Sequence, residues 1–325
     1  MDENGFLKFS EAKIGDTFER PVFVAVINES IAKTGSTFVR MTLKDGFTEV
    51  VANMFATDKN TLAENGVKEG TVISAKINVS EFRGAKSFRV DTASPCTDER
   101  FPVSSFVKTP PLDADVMFDE IIAMLKSSEN TYDGKYTPLC DLAVAILTHF
   151  KERFKTSSAA VSMHHNMKSG LIYHTYRMVK TADAVCGIYG DLDRELLLCA
   201  TALHDIGKIH EYNTNEFGEA EFTSQGVLLG HLYMGASIIR NYSTKGNYNP
   251  EKVLLLIHMI LSHHGTMEFG AVKPPAFAEA FVLFYIDNLD AKIGTCENHY
   301  EGLEPGEMTD KKPFGLDNRI YRPKL

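Results

Sequence analysis

Two hydrophobic periods divide this chain. Over the first hundred residues apolar positions recur at every second residue. Val22, Val24 and Val26 alternate with Phe23, Ala25 and Ile27, and Val39, Met41 and Leu43 with Phe38, Arg40, Thr42 and Lys44. Ile73, Ala75, Ile77 and Val79 alternate in the same way with Val72, Ser74, Lys76 and Asn78. Period two marks strands. Turn-forming stretches separate them at Lys33-Thr34-Gly35-Ser36, Lys44-Asp45-Gly46, Glu69-Gly70 and Arg83-Gly84-Ala85-Lys86. Between Ser94 and Asp115 the pattern lapses, and Pro95, Pro102, Pro110 and Pro111 exclude regular helix or central strand there. From Val116 onward the period is helical, with stripes at Ile121, Ile122 and Leu125 and at Leu142, Ile146, Leu147 and Phe150. Further helices are predicted over 171–188, 193–204, 225–242, 250–263 and 275–293, with a small hairpin over 217–222.

These patterns predict a two-domain protein. Five short strands and a short helix near Asp58–Asn65 suit a small all-β barrel of the OB type over residues 1–97, a β-sandwich fragment being the competing arrangement. A Pro-containing linker covers 98–115, an all-α domain 116–300, and a polar, Pro-punctuated surface tail 301–325. At 325 residues, 44% apolar and 24% charged, the chain has an ordinary globular composition. Its net charge of −9 excludes strong non-specific attraction to nucleic acid over the whole surface. The charge is uneven, however. The first 110 residues carry 14 Lys and Arg against 15 Asp and Glu, a net of −1, which leaves −8 for the remainder. Five cysteines without a C-x-x-C pair fit reduced thiols in the cytoplasm. The N-terminus lacks a basic, apolar leader, and the apolar runs near 253–261 and 276–286 are too short to span a bilayer. A cytoplasmic protein with no membrane partner is expected.

The chemistry is carried by Leu203-His204-Asp205-Ile206-Gly207-Lys208. Alone, a His-Asp pair would mean little. Here His174 precedes it, and His231, the pair His263-His264 and Asp287 follow, each in or beside an apolar helical segment. A divalent ion needs neutral imidazoles and ionised carboxylates converging within about 2.0–2.3 Å. Neighbours on a helix point about 100° apart, so His204 and Asp205 can share a site only where their helix ends, and Gly207 supplies the break. An unpartnered Asp287 among Phe281, Phe284 and Ile286 would be costly. His174, His204, Asp205 and Asp287 form one candidate ligand set. His231, His263 and His264 are available for a second ion, with Asp205 as the bridge. Lys208, one turn past Asp205, is a catalytic candidate as a cation facing substrate phosphate. His164 and His165 either contact substrate or cap and pack, and the sequence leaves both readings open. His149, His258 and His299 read as surface or core residues.

The order His, His-Asp, His, His-His, Asp resembles the HD-domain phosphohydrolases, an all-helical superfamily. With the N-terminal barrel, Gly226-Val227-Leu228-Leu229-Gly230-His231 and Ile286-Asp287-Asn288-Leu289-Asp290-Ala291-Lys292, the chain is similar to the bacterial YhaM-type 3′→5′ exoribonucleases from Ile14 to about Asn298. Ser169-Gly170-Leu171 departs from that family's usual Gly-Gly-Leu, which concerns the turn and not the ligands. The resemblance implies His174, His204, Asp205 and Asp287 as ligands of a primary metal, completed by His231, His263 and His264. It further implies divalent metal, manganese in the first place, with iron, zinc, cobalt and magnesium open; the number of candidate ligands is what suggests two ions per chain.

Strand alternation places Phe38, Arg40 and Lys44 on the outer face of the barrel, and Arg83 and Lys86 extend the strip. An aromatic ring beside cations suits single-stranded RNA or DNA, because bases stack on the ring while phosphates meet the charges. The expected activity is metal-dependent removal of nucleotides from the 3′ end of single-stranded RNA, with DNA a further substrate class. Two alternatives stand beside it. One is an HD-domain nucleotide phosphohydrolase or cyclic-nucleotide phosphodiesterase, and the other a non-catalytic nucleic-acid-binding protein with a structural metal site. Homo-oligomerisation is left open.

Overall fold

The computed structural model describes the chain apart from residues 3, 32–34, 108, 129–133, 160–166, 216, 301 and 314. By its internal contacts it divides into two compact units, Met1–Lys108 and Thr109–Leu325.

The first unit is a closed five-stranded barrel. It comprises β1 (Thr17–Ile31), β2 (Thr37–Lys44), β3 (Glu49–Phe55), β4 (Val72–Phe82) and β5 (Ala85–Pro95), in the order β1-β2-β3-β5-β4 and back to β1. All neighbours are antiparallel except β3 and β5. The short helix α1 (Lys59–Glu64) joins β3 to β4, and Asp58 caps it by accepting from the Thr61 N–H. The core is filled from alternate positions, among them Val39, Met41, Leu43, Ile73, Ile77 and Val79. On β1 strict alternation fails. A bulge between Val24 and Val26 shifts the register by one, so Val22, Val24 and Ile27 face inward instead of Val26.

The proline-bearing stretch is not a bare tether. Phe101 and Phe106 are buried, and Phe101 packs edge-on against Phe6 with ring centroids 5.7 Å apart. The Phe101–Phe6 contact ties this segment to the barrel unit.

The second unit is helical: α2 (Ala114–Ser127), α3 (Leu139–His149), α4 (Lys151–Thr156), α5 (Gly170–Ile188), α6 (Arg194–Leu203), α7 (Lys208–Glu211), α8 (Ser224–Ser243), α9 (Pro250–Ser262) and α10 (Ala278–Tyr300). The hairpin β6 (Tyr212–Thr214) and β7 (Ala220–Phe222) lies between α7 and α8. Helix α6 is the centre of the unit. Every residue from Glu195 to Leu203 is buried, as its all-round apolar sequence requires, and it touches α3, α5, α9 and α10. Its start is fixed by Asp193, which accepts from the Leu196 N–H. The one carboxylate it buries, Glu195, is paired with Lys252 at 2.7 Å and accepts from the Cys140 N–H.

The tail has its own order. Met308 and Tyr321 form an isolated bridge, Ile320 is buried, and the Arg322 guanidinium donates to the Tyr300 carbonyl at the end of α10. Among the described residues no helix is long and apolar enough to cross a membrane.

Candidate metal centre

Five of the seven metal-ligand candidates, His204, Asp205, His231, His263 and His264, sit at a helix end or a break, where a side chain can leave its helix face. His174 is in the first turns of α5. Helix α6 stops at Leu203, and the turn His204–Gly207 frees both His204 and Asp205. Helix α8 is interrupted at Gly230, whose φ of 70° and ψ of 158° are non-helical, so His231 opens a new segment. Helix α9 ends at Ser262, which releases His263 and His264. Asp287 comes from the middle of α10. The units that carry Asp205 and His231 meet at Gly207. A Cβ there would lie 2.1 Å from the His231 carbonyl oxygen and 2.8 Å from the Gly235 nitrogen.

All seven side chains converge. In three overlapping groups, His174/His204/Asp205, His204/His263/Asp287 and His231/His263/His264, the ligand atoms lie within 4.8 Å of one another. Asp205 stands between two halves. Its Oδ2 lies 3.2 Å from His204 Nε2 and 3.9 Å from His174 Nε2, and its Oδ1 lies 3.6 Å from His231 Nε2 and 3.8 Å from His263 Nε2. Asp287 Oδ1 is 3.3 Å from His174 Nε2. The Lys208 ammonium reaches Asp205 Oδ2 at 2.7 Å, so the cation next to the motif is bound to the carboxylate at its centre.

The ring orientations are fixed from behind. His204 Nδ1 donates to the Thr201 carbonyl, His263 Nδ1 to the Ile260 carbonyl and His264 Nδ1 to the Phe269 carbonyl. His174 Nδ1 donates to Asp290 Oδ2 at 2.7 Å, and His231 Nδ1 lies 2.9 Å from Glu211 Oε2. A carbonyl can only accept, so the proton of each neutral ring is on Nδ1 and the Nε2 lone pair points inward. Ring nitrogens then face one another, His231 and His264 Nε2 at 3.3 Å and His174 and His204 Nε2 at 3.2 Å. Asp205 Oδ1 is buried and has no hydrogen-bond partner. Converging lone pairs around a bare carboxylate oxygen repel unless a cation lies among them, so this donor set fits a divalent metal.

Protonation agrees with that. Burial, with His204 and His264 nearby, holds His263 well below the usual imidazole range, and burial with His231 lowers His264. Burial would raise Asp205, but Lys208 and His204 outweigh it and keep the carboxyl well below its ordinary value. Burial would likewise raise Asp287, yet His174 and His204 hold it down. His174 is the exception. Burial lowers it, but Asp287 and Asp290 carry it up to about 9, so in the absence of metal a proton takes the cation's part between those carboxylates.

The barrel residues are placed less uniformly. Arg40 is exposed opposite Asn53, while Phe38 is half-buried and stacks on Phe55 with centroids 5.5 Å apart. Phe55 is the more open ring of the two. Lys44 is half-buried and pairs with Glu49 at 3.6 Å. Arg83 is exposed in the β4–β5 turn, its guanidinium over the Phe82 ring, and Lys86 is exposed near the start of β5. His164 and His165 fall outside the described residues. Sequence reasoning missed Asp290, Glu211, Arg177 and Phe55. Asp290 is three residues beyond Asp287 on one helix, a spacing that puts both on neighbouring faces and was there to be read.

The HD-domain family pattern matches residues 171–292, a span that holds every candidate ligand. The chain is similar to the 3′-5′ exoribonuclease YhaM of Bacillus subtilis (strain 168), with 30% identity over 313 residues that cover 96% of each protein. The same-named protein of Bacillus licheniformis is 30% identical, again over 96% of both chains. That of Geobacillus sp. (strain WCH70) is 28% identical over 96% of this chain and 93% of its own.

Proposed function

The chain belongs to the YhaM-type 3′-5′ exoribonucleases, hydrolases with an HD domain, and from that premise we propose that it shortens single-stranded RNA from the 3′ end at the His/Asp centre. The observation that carries this reading is the convergence of inward-facing imidazole nitrogens on Asp205, whose Oδ1 is buried without a partner.

His174, His204, Asp205 and Asp287 would hold one ion, and His231, His263 and His264 a second, with Asp205 lying between the two sets. Manganese is the ion proposed, although imidazole-rich sites also suit iron, cobalt and zinc. Bound divalent ions supply Lewis acidity and a nucleophile at neutral pH. The protein supplies the remainder. Hydrogen bonds at the Nδ1 of His174, His204, His263 and His264 fix which nitrogen of each faces the site, so little reorganisation is needed when charge grows on the phosphoryl group. Lys208 keeps Asp205 ionised and holds a positive charge beside the developing negative one.

The barrel captures the strand. Its outer face offers the stacked Phe38–Phe55 pair, Arg40 and the Phe82–Arg83 turn, with Lys86 beside it, a combination that serves bases and phosphates together. Lys44 contributes less, since Glu49 already neutralises it. The five cysteines without a C-x-x-C pair suit work in the cytoplasm.

Incubation of the protein and Mn²⁺ with 5′-labelled single-stranded RNA tests the reading. A ladder shrinking from the 3′ end is the expected result. Turnover of mononucleotides alone would point instead to a nucleotide phosphohydrolase, and a gel shift without cleavage to a binding protein.

A further inference from the structure

We propose that Asp290 and Glu211 are separate anchors for the two halves of the metal centre, each positioning one imidazole and thereby one ion. The proposal rests on the two-ion reading above. Three of the five rings, His204, His263 and His264, are backed by main-chain carbonyls. Two of those carbonyls, Thr201 and Ile260, lie three residues back in the ring's own chain, so helix geometry sets them and no side chain is involved. His174 and His231 are different. Each is backed by a buried carboxylate from another element, Asp290 on α10 for the ring on α5 and Glu211 on α7 for the ring on α8.

The two anchors are themselves held. Arg177 Nε lies 2.7 Å from Asp290 Oδ1, and its other arm reaches Glu297 at 2.8 Å, which leaves Asp290 Oδ2 for the His174 ring. Helix α10 thus grips His174 at both nitrogens, with Asp287 in front and Asp290 behind. Glu211 meets His231 at two points, accepting from its backbone N–H through Oε1 at 3.0 Å and placing Oε2, buried without a hydrogen-bond partner, 2.9 Å from Nδ1 as a charge contact. That double hold matters because Gly230 breaks the helix immediately before His231. A carboxylate behind a ligating imidazole raises its basicity and locks its orientation, and loss of such a partner costs about 10–100-fold in metal affinity. His174 and His231 face opposite oxygens of Asp205. Their anchors should therefore act on different ions.

The test uses full-length protein stripped by a chelator and titrated with Mn²⁺, free ion being read by electron paramagnetic resonance. Wild type should bind in two steps. Asp290→Asn should weaken one step by about 10–100-fold and leave the other unchanged, and Glu211→Gln should do the reverse. Arg177→Met, at a partly exposed position, should give a smaller loss in the same step as Asp290→Asn. Thermal melting of the stripped proteins reads folding independently of metal. A single step in wild type overturns the two-ion reading and the assignment of anchors with it. Two steps in wild type with both weakened equally by each variant, or with neither weakened, overturn the anchors and leave the two-ion reading standing.

Discussion

Gly207→Ala should damage the metal centre without touching a ligand. Gly207 has ordinary helical angles, φ −64° and ψ −24°, so the backbone conformation suits alanine. As the residue before α7, however, Gly207 stands at an N-cap, where alanine brings no helix-propensity gain. Sterics oppose it. The new methyl would lie 2.1 Å from the His231 carbonyl oxygen and 2.8 Å from the Gly235 nitrogen, and neither backbone atom can swing aside. Carbon contacts settle near 3.5–4.0 Å, so the start of α7 and the middle of α8 must separate by roughly 1 Å or more. Overpacking of this kind costs about 1–3 kcal/mol, which lowers Tm by several degrees in a unit of this size. The same displacement acts on the 3.6 Å approach of His231 Nε2 to Asp205 Oδ1. A misplacement of about 1 Å costs on the order of 10²-fold in rate. Gly187→Ala is the control, since a Cβ there meets nothing within 4 Å. Melting curves, Mn²⁺ content and RNA-shortening rates of the three proteins decide the matter. If Gly207→Ala equals wild type in all three, the close approach does not hold His231 in place.

Lys208→Met, which keeps the stem and removes the ammonium at Asp205, should lower kcat by about 10²–10³-fold with metal retained; loss of metal with unchanged kcat on reloading would make the lysine a purely structural partner. A fragment spanning 109–325 should fold and still cleave a dinucleotide or an activated phosphodiester, because every candidate ligand lies in that unit. Its affinity for long strands should fall by about 1–3 kcal/mol for each base stack lost. The triple change Phe38→Ala, Arg40→Ala, Lys44→Ala should reproduce most of that loss and flatten the salt dependence, and Phe55→Ala added to it should deepen the effect; wild-type behaviour on long RNA would remove the barrel face from strand capture.

The strands of the barrel were legible because one buried face imposes period two on residues such as Val39, Met41 and Leu43. The bulge at Val24–Val26 was not, since a one-residue slip leaves an apolar run that reads equally well in either phase. The long helices could be read from their stripes and caps, whereas α4 and α7 have too few residues for a period to show. His204, Asp205 and Asp287 stood out because titratable side chains in apolar helices are expensive. Asp290 and Glu211 did not, because a carboxylate close to a motif looks like ordinary solvated charge until the ring behind it is placed. Phe101 and Phe106 were visible as lone aromatics in the proline-bearing stretch, yet no local pattern says which surface covers them.

The central claim is that hydrolysis depends on a cation held at Asp205. The direct measurement is metal content per chain, by elemental analysis, taken alongside the rate of 3′-end RNA shortening during stepwise reloading of chelator-stripped protein. Wild type should be inert when stripped and gain rate in step with bound Mn²⁺ up to two ions per chain, while Asp205→Asn should lose both metal and rate, having exchanged the carboxylate shared by both halves for a neutral amide. Full rate in metal-free wild type, or an Asp205→Asn protein that keeps its metal and its activity, would contradict the account.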